Sequence, residues 1–243
     1  MGGGMGMGGG MGMGGGMGMG GGMDGMMGDM GRGQNNVVLL VSNLPDEVAT
    51  CDLVFNMLGA YGDVVCVKIL RNKRDCALVQ MAKPHHAQQV RNYLDQAKIG
   101  GKKLCISNSR VDSLLNKRLI EDEGLQKDYS NSRQHRFRNQ GQAMKIQRNL
   151  GPPTSVLHVA NIPDGYSHLD IKEMFIERGY TVKDSKDCEG KSHMCYLFMP
   201  GADEALMALA AMHNYAPDDL KFKNTNGLCV SFSKTANKSV HQE

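Results

Sequence analysis

From residue 37 onward the chain repeats one order of elements twice, and this repeat constrains the fold more than any other feature of the sequence. Short runs rich in β-branched residues, typical of strands, alternate with segments whose apolar residues recur at helical spacing. The first copy predicts strands over residues 37–41, 64–70, 77–81 and 103–107, with helices over 50–59 and 87–94. The polar residues 71–75 are predicted as the turn between the second and third strands.

The second copy keeps the same order of elements. It predicts strands over residues 155–159, 182–186, 193–199 and 228–232, with helices over 169–178 and 203–213. Two split-βαβ units of about 80 residues each account for the length of the chain better than one domain does. The sequence therefore predicts an α+β fold with two tandem βαββαβ, ferredoxin-like domains.

The last predicted helix indicates how the two domains meet. Its sequence ALMALAAM, at residues 205–212, is apolar nearly all round. A helix that covers a small sheet needs only one apolar stripe, so a second apolar side indicates another covering surface. We therefore expect the domains to pack through their helices. An Ala-rich helix with an exposed far side is the alternative, since exposed apolar residues are common.

Composition divides the chain into five segments. They are a Gly/Met-rich leader at 1–35, expected to be disordered, a first domain at 36–108, a basic linker at 109–153, a second domain at 154–235 and a tail at 236–243. The linker has nine basic and five acidic residues, a net charge of +4, whereas residues 154–243 have nine basic and twelve acidic, a net charge of −3. A polyanion would be drawn first to the middle of the chain.

Strand periodicity assigns each side chain of the first domain to a helix-covered face or to an open face. Because Leu39 and Val41 have the spacing of core residues, their neighbours point the other way. The open face is then predicted to carry Leu40, Ser42, Lys68, Leu70, Cys76, Leu78, Gln80, Cys105 and Ser107.

The central strand pairs of both copies resemble the signature of the RNA-recognition-motif family. The six-residue element is LLVSNL at 39–44 and LHVANI at 157–162, and the eight-residue element is RDCALVQM at 74–81 and SHMCYLFM at 192–199. The segments VLLVSNL, YGDVVCVKILRNK, ALVQMA, GLQKDYSNSRQHRF, LHVANIP and LCVSFSK resemble, more specifically, the third and fourth domains of the polypyrimidine-tract-binding protein family. KDYSNSR also resembles the related heterogeneous nuclear ribonucleoprotein L.

This resemblance implies binding of short CU-rich single-stranded RNA and regulation of pre-mRNA splicing or other mRNA processing. It also implies domains packed back to back, with their sheets facing away from each other. Splicing regulation in turn implies the nucleus, with the cytoplasm as a second location, and splicing co-regulator proteins as partners. We expect a monomer.

The first open face lacks the aromatic side chains on which RNA-recognition motifs usually stack bases. Leu40, Cys76 and Leu78 occupy those positions, and the family that the chain resembles also reduces these aromatics. RNA contact then falls to apolar surface, including Leu70, and to polar groups that pair with pyrimidine edges, namely Ser42, Gln80, Ser107 and Ser109. Phosphates would be met by Lys68, Arg71, Lys73 and Arg74, unless these form an ordinary solvated rim.

The second open face is predicted to be aromatic. His158, Tyr196 and Phe198 can stack one or two bases at about 1–3 kcal/mol each. The alternative for Phe198 is that it packs against a C-terminal segment. The other predicted contacts on this face are Lys186, Ser231, Ser233 and Lys234. Because this domain is acidic, with Asp184, Asp187 and Glu189 expected near the open surface, we expect the first domain to dominate RNA affinity.

The linker allows two interpretations. Five cations and no acid lie between residues 133 and 148: Arg133, Arg136, Arg138, Lys145 and Arg148. They either wrap phosphates or belong to a segment that docks between the domains, with Phe137, Ile146 and Leu150 as anchors. The interspersed apolar residues favour docking.

Other classes of protein find little support in the sequence. The seven cysteines form no CxxC pair, and Cys188, His193 and Cys195 approach metal-ligand spacing without a second pair. No nucleophile, acid–base set or phosphate-binding glycine loop predicts catalysis, so we expect a binding protein without a cofactor, a metal or a membrane span. The remaining alternative is a protein-interaction module in which Leu40, Cys76 and Leu78 hold an apolar peptide, whose affinity would depend little on salt.

Overall fold

The structure is a computed structural model that describes residues 1–2, 36–115, 124–217, 222 and 227–234. Most of the predicted Gly/Met leader and the predicted tail at 236–243 lie outside the described residues. Within the described ranges, no helix is long and apolar enough to cross a membrane. The same ranges contain no group of three or more His, Cys, Asp or Glu side chains that could hold a metal ion.

The first unit combines strands and helices, which follow one another in the predicted order. Its elements are β1 (Val38–Ser42), α1 (Cys51–Gly59), β2 (Val64–Leu70), β3 (Lys73–Met81), α2 (Pro84–Leu94), β4 (Lys98–Ile99), β5 (Lys102–Lys103), β6 (Cys105–Asn108) and β7 (Gln126–Asp128). β4 and β5 form a small hairpin, and the other five strands form one antiparallel sheet in the order β6-β1-β3-β2-β7.

The second unit follows a helix that lies between the two units, α3 (Gln140–Asn149). Its own elements are β8 (Val156–Ala160), α4 (His168–Glu177), β9 (Asp184–Cys188), β10 (Lys191–Phe198), α5 (Ala202–Met212) and β11 (Cys229–Phe232). The sheet is antiparallel in the order β11-β8-β10-β9, which repeats the order of the first four strands of the first sheet. The predicted α+β class with two βαββαβ units is confirmed.

Local sequence explains where the helices begin. The Thr50 hydroxyl accepts a hydrogen bond from the Leu53 N–H (3.3 Å) at the start of α1. Ser167 forms a capping box with Asp170 at the start of α4, and α2 begins with Pro84, whose missing N–H is not needed there.

The two copies also match in their backbone strain. The residue after the first strand of each unit, Asn43 or Asn161, has a left-handed conformation with φ 62°. Asparagine tolerates this region better than most residues, and each side-chain amide is used. The Asn43 amide donates to the Lys103 carbonyl (3.1 Å), and the Asn161 amide donates to the Gly227 carbonyl (2.9 Å). Each asparagine thus ties the first strand of its unit to the segment leading into the last one.

The structure differs from the predicted elements in several places. β3 begins at Lys73, so the predicted polar turn over 71–75 shortens to Arg71 and Asn72. The strand predicted over 182–186 is β9, two residues further along the chain. The hairpin of β4 and β5, the strand β7 and the helix α3 were not predicted, and β7 and α3 lie in the segment 109–153 predicted as a linker.

The helices pack the two units against each other, as predicted, and share one hydrophobic core. α5 contacts α1 and β4 of the first unit, and the buried residues of both units form one continuous cluster. Asn56 of α1 links the two units. Its side-chain amide donates to the Ala210 carbonyl (3.0 Å), and its side-chain oxygen accepts a hydrogen bond from the Asn214 amide (2.8 Å). The alternative of an exposed far side on α5 is wrong, since Ala205, Leu206, Ala208, Leu209 and Ala210 are fully buried.

The middle of the linker docks on the first unit. The Tyr129 ring stacks on Phe55 at 4.1 Å between centroids, and its hydroxyl donates to Asp52 (2.7 Å). Phe137 is 4% exposed, and its N–H donates to the buried carboxylate of Asp63 (3.0 Å). The docking interpretation applies to residues 129–137, where Arg136 also donates to the Val230 carbonyl of the second unit (3.3 Å), and to Leu150, which packs on the shared core. Ile146 is half-exposed, and Arg138 and most of α3 are exposed.

Candidate nucleic-acid interface

The open face of the first sheet carries one row of side chains that runs across all five strands. Cα registers align Ser107 with Leu40, Leu40 with Leu78, Leu78 with Lys68, and Lys68 with Gln126. Directly opposed residues in antiparallel strands project to the same face. The row therefore joins four predicted RNA contacts and extends about 19 Å at a strand spacing of ~4.8 Å. Its first four residues, Ser107, Leu40, Leu78 and Lys68, are named the first central row, and Gln126 of β7 continues the row beyond Lys68.

One end of this face is covered by the chain itself. Val38, Gln80 and Cys66 are in register there, and Leu114 packs on Val38 and Cys66. The side-chain amide oxygen of Gln80 (Oε1) accepts the Leu114 N–H (2.7 Å) and lies 3.4 Å from the Ser113 hydroxyl. The Gln80 side chain was predicted to contact a base, but in the structure its oxygen anchors the segment after β6.

Ser109 also serves this segment. Its hydroxyl accepts the Val111 N–H (3.0 Å), and its own N–H donates to the Val38 carbonyl (2.9 Å). The side chain therefore stabilises the turn that carries the chain across the sheet, rather than standing free on the open face.

The opposite end of the first sheet is less covered. Ser42 is aligned with Cys105, and both Ser42 and Leu70 are half-buried. Cys76, predicted on the open face, is 2% exposed, so it is not available as a contact surface. The rim beside this end is basic, with Arg71, Lys73 and Arg74 exposed.

The second sheet carries a row in the same register. Tyr196 aligns with His158 and with Lys186, and His158 aligns with Ser231. The rings of His158 and Tyr196 lie 5.5 Å apart between centroids and are tilted by 54°. Burial lowers the pKa of His158, and the charges of Lys191 and Arg136 act in the same direction, so the imidazole is neutral at physiological pH. This second central row consists of Ser231, His158, Tyr196 and Lys186.

The other predicted contacts of the second unit are less uniform. Phe198 is half-buried on the same face, aligned with the buried Val156 and the exposed Asp184. Ser233 is 6% exposed, and Lys234 is exposed with its ammonium group donating to the Arg148 carbonyl.

The acidic residues near this sheet divide between its two sides. Asp184 shares the open face with Phe198, whereas the Asp187 carboxylate lies 3.7 Å from the His168 ring of α4, on the helical side. The expectation that Asp187 lies near the open surface is therefore wrong, and the negative charge near the second central row is smaller than the sequence indicated.

A cleft of about 630 Å³, which was not predicted from the sequence, lies against the second open face. One wall is the sheet, including His158, Tyr196 and Ser231, and another is α3. The α3 residues that line it are Gln142, Lys145, Ile146 and Asn149, which have the spacing of one helical face. Three of these four side chains are polar, so hydrophobic periodicity gave little signal for the helix.

Comparison with known proteins identifies the class that this fold and these faces define. Residues 13–132 match the family described as RNA recognition motif, also known as RRM, RBD or RNP domain. The chain belongs to the RNA-recognition-motif family, a family of RNA-binding proteins. Within it, polypyrimidine tract-binding protein homolog 3 of Arabidopsis thaliana is 31% identical over 176 residues, which confirms the resemblance to the polypyrimidine-tract-binding protein family.

That match covers 72% of this chain and 39% of the relative, so the chain spans about two fifths of that protein's length. Among solved structures, a Sxl-lethal protein/RNA complex is 15% identical, with coverage of 82% of this chain and 99% of the other and a TM-score of 0.28. The RRM domain of Schizosaccharomyces pombe Puf1 is 30% identical, with coverage of 33% and 97% and a TM-score of 0.26.

Proposed function

We propose that this protein binds single-stranded, pyrimidine-rich RNA of the CU type through the open faces of both sheets. The observation that carries the proposal is the pair of central rows, which occupy the same register on two sheets. Each row places a serine at one end, a lysine at the other and two less polar side chains between them, Leu40 and Leu78 or His158 and Tyr196.

The chemistry of the first central row supports small bases. Leu40 and Leu78 are half-buried and offer apolar contact without the broad surface that aromatic stacking provides. The Ser107 hydroxyl can donate to and accept from the pyrimidine edge, which differs between C and U in donors and acceptors. Lys68 supplies the positive charge for a phosphate at the other end of the row.

The second central row supports stacking. The Tyr196 ring and the neutral imidazole of His158 can each meet the face of a base, a contact that tolerates different sequences. Selectivity there then depends on polar groups beside the rings, such as Ser231.

Regulation of pre-mRNA splicing or other mRNA processing is the cellular role that we propose, and it implies a nuclear location and splicing co-regulator proteins as partners. The resemblance to polypyrimidine-tract-binding proteins supports this role. A splicing reporter with a CU-rich intron tract tests it, with the distribution of the tagged protein measured in the same cells. We propose a binding protein rather than an enzyme, because the families that it resembles are RNA-binding and non-enzymatic.

The direct test is fluorescence anisotropy of the full chain with labelled CUCUCU and with a purine-rich control, at low and moderate salt. We expect selective binding to CUCUCU that weakens steeply with salt. Leu78→Asp places a carboxylate in the first central row and should weaken binding by about tenfold, through repulsion of phosphate and loss of apolar contact. Leu169→Asp is the matched control, because Leu169 is 61% exposed on α4. Equal affinity for the purine-rich strand contradicts the proposal.

A second candidate function is capture of an apolar peptide on the first sheet. The aliphatic pair Leu40 and Leu78 supports it, because a peptide side chain would fit this surface as well as a base does. Apolar binding depends little on ionic strength, so the salt series in the same assay separates the two functions. Absence of RNA binding, together with salt-insensitive peptide binding, would favour the peptide.

A further inference from the structure

α3 stands against the open face of the second sheet and closes one side of the cleft described above. The sheet wall includes the two rings of the second central row, and the helix wall presents Gln142, Lys145 and Asn149. At about 630 Å³, the cleft falls in the range of roughly 300–1,000 Å³ that is usual for small-ligand sites. It is therefore large enough for a nucleotide between the two walls.

The charge of the cleft suits an anion. Its cationic lining residues are Arg136, Lys145, Lys191 and Lys234, and none of the described lining residues is Asp or Glu. The lowered pKa of His158 reflects the same field, since Lys191 and Arg136 contribute to it after burial. Two of the four cations, Arg136 and Lys145, come from the linker, so the acidic second unit acquires a positive site from outside its own sequence.

The polar groups of the cleft suit a base edge and a phosphate. The amides of Gln142 and Asn149 can both donate and accept hydrogen bonds, as a pyrimidine edge requires. The Arg136 Nε is buried and has no hydrogen-bond partner among the described residues, although the same guanidinium donates to the Val230 carbonyl (3.3 Å). Leaving a buried donor unpaired costs about 1–3 kcal/mol, which an incoming oxygen atom would recover.

We propose that α3 and the second sheet form a two-sided binding site for one pyrimidine nucleotide of the RNA. The base stacks on the Tyr196 and His158 side, while α3 contacts its edge and phosphate from the opposite side. This site rests on the proposed RNA binding and deepens it, because it gives the linker helix a direct role in affinity that an open sheet alone does not have.

α3 is suited to closing on a ligand because little else holds it. None of its residues is buried, and a ten-residue helix is only marginally stable by itself. Among the described residues, its hydrogen bonds outside the helical ladder are its own cap at Asn139 and the contact of the Lys234 ammonium group with the Arg148 carbonyl, while its C-cap residue Leu150 packs against the core. A nucleotide between the walls would stabilise the helix.

The test uses the full chain labelled with ¹⁵N and titrated with CUCUCU. Apparent Kd values are read from the backbone amides of His158 and Tyr196, so that binding at the first sheet does not contribute to the measured affinity. Lys145→Gln removes one cation of the cleft and should weaken binding there by three- to tenfold, lowering the salt slope by about 0.7. Arg148→Gln is the matched control: it removes the same charge from the same helix, and Arg148 does not line the cleft, so less than a twofold change is expected.

A second variant tests whether α3 contributes to binding or blocks the second sheet. Ala143→Pro breaks α3, where the Ala143 N–H donates to the Asn139 carbonyl (2.8 Å), and since α3 buries no residue the rest of the chain should stay folded. The proposed site predicts weaker binding at the second sheet, whereas a lid that blocks the sheet predicts tighter binding and overturns the proposal.

Two further outcomes distinguish the failure of this site from the failure of RNA binding itself. Equal effects of Lys145→Gln and Arg148→Gln mean only a general charge effect and contradict the site, even if CUCUCU still binds the sheet. Absence of binding to CUCUCU by the unmodified chain contradicts the proposed function and the site together.

Discussion

The two central rows have the same register but different chemistry. Where the first sheet has Leu40 and Leu78, the second has His158 and Tyr196, while serine and lysine keep the two ends in both. Under the proposed function, the backbone sets where a base lies, and two side chains decide how it is held. The exchange then gives apolar contact on the first sheet and ring stacking on the second.

The linker contacts the two sheets in different ways. It widens the first sheet by pairing β7 with β2, and it covers the end of that sheet where Leu114 packs. Beside the second sheet it adds a wall and two cations, Arg136 and Lys145. Net charge summed by sequence segment, which favoured the first domain, therefore does not describe the charges beside the second face. The ranking of the two faces stays a prediction.

The largest expected effect is on stability below neutral pH. Burial lowers the pKa of His86 to about 4, and its Nδ1 accepts the Asp63 N–H (3.2 Å). Burial also lowers the pKa of His213, whose Nδ1 accepts the Val230 N–H (3.1 Å). The unfolded chain takes up protons first, near pH 6.5, so the free energy of unfolding should fall as the pH drops from 6.5 towards 4, by up to about 3 kcal/mol for His86.

Urea denaturation at pH 7 and at pH 5 measures this loss. His86 contacts Phe137 of the linker, whereas His213 bonds the edge strand β11, so acid should weaken linker docking on the first unit and strand pairing in the second. Equal stability at the two pH values would contradict the prediction for both units.

The next effect is on the second central row. Tyr196→Ala should remove about 1–3 kcal/mol of stacking, which corresponds to roughly 5- to 150-fold weaker binding of CUCUCU at that sheet. Leu78→Ala on the first sheet removes apolar contact alone and should cost less. Site-resolved NMR titration measures both, and a larger loss from Leu78→Ala would break the distinction between stacking and apolar contact.

A smaller effect concerns the covered end of the first sheet. Gln80→Leu leaves the Leu114 N–H without its acceptor and should lower the free energy of unfolding by about 1 kcal/mol. RNA affinity should change less than twofold, because the Gln80 oxygen is already used within the chain. Anisotropy decides the point, since a loss of affinity with unchanged stability would restore the base-contacting role.

The smallest effect compares the lysines at the matching ends of the two rows. Lys68→Gln and Lys186→Gln should each weaken RNA binding by less than 1 kcal/mol and lower the salt slope by about 0.7. A salt series on both variants measures this. If only one lysine changes the slope, RNA does not cross the two rows in the same way.

Sequence alone predicted the repeated fold and most core positions, because alternating and helical apolar periods survive in both copies. Leu39, Val41, Ala77 and Val79 are buried as expected. The packing of the two units through α5 could also be predicted from the sequence, since a helix that is apolar all round needs two covering surfaces.

The parts that sequence did not predict lack an apolar period or depend on distant contacts. β7 is the polar tripeptide Gln126–Asp128, held by backbone pairing with β2. The register of Gln80 was predictable, but its partner Leu114 lies 34 residues further along the chain. α3 was missed because its cleft-facing side is mainly polar.

The shared core also governs how the protein loses its structure. Because α1 and α5 bury their surfaces against each other within one apolar cluster, neither half completes its interior alone. Heating should therefore produce a single cooperative transition in calorimetry, in place of two independent melting events. A chain divided between residues 153 and 154 would expose the apolar side of α5 and should aggregate, so the two open sheet faces persist or disappear together.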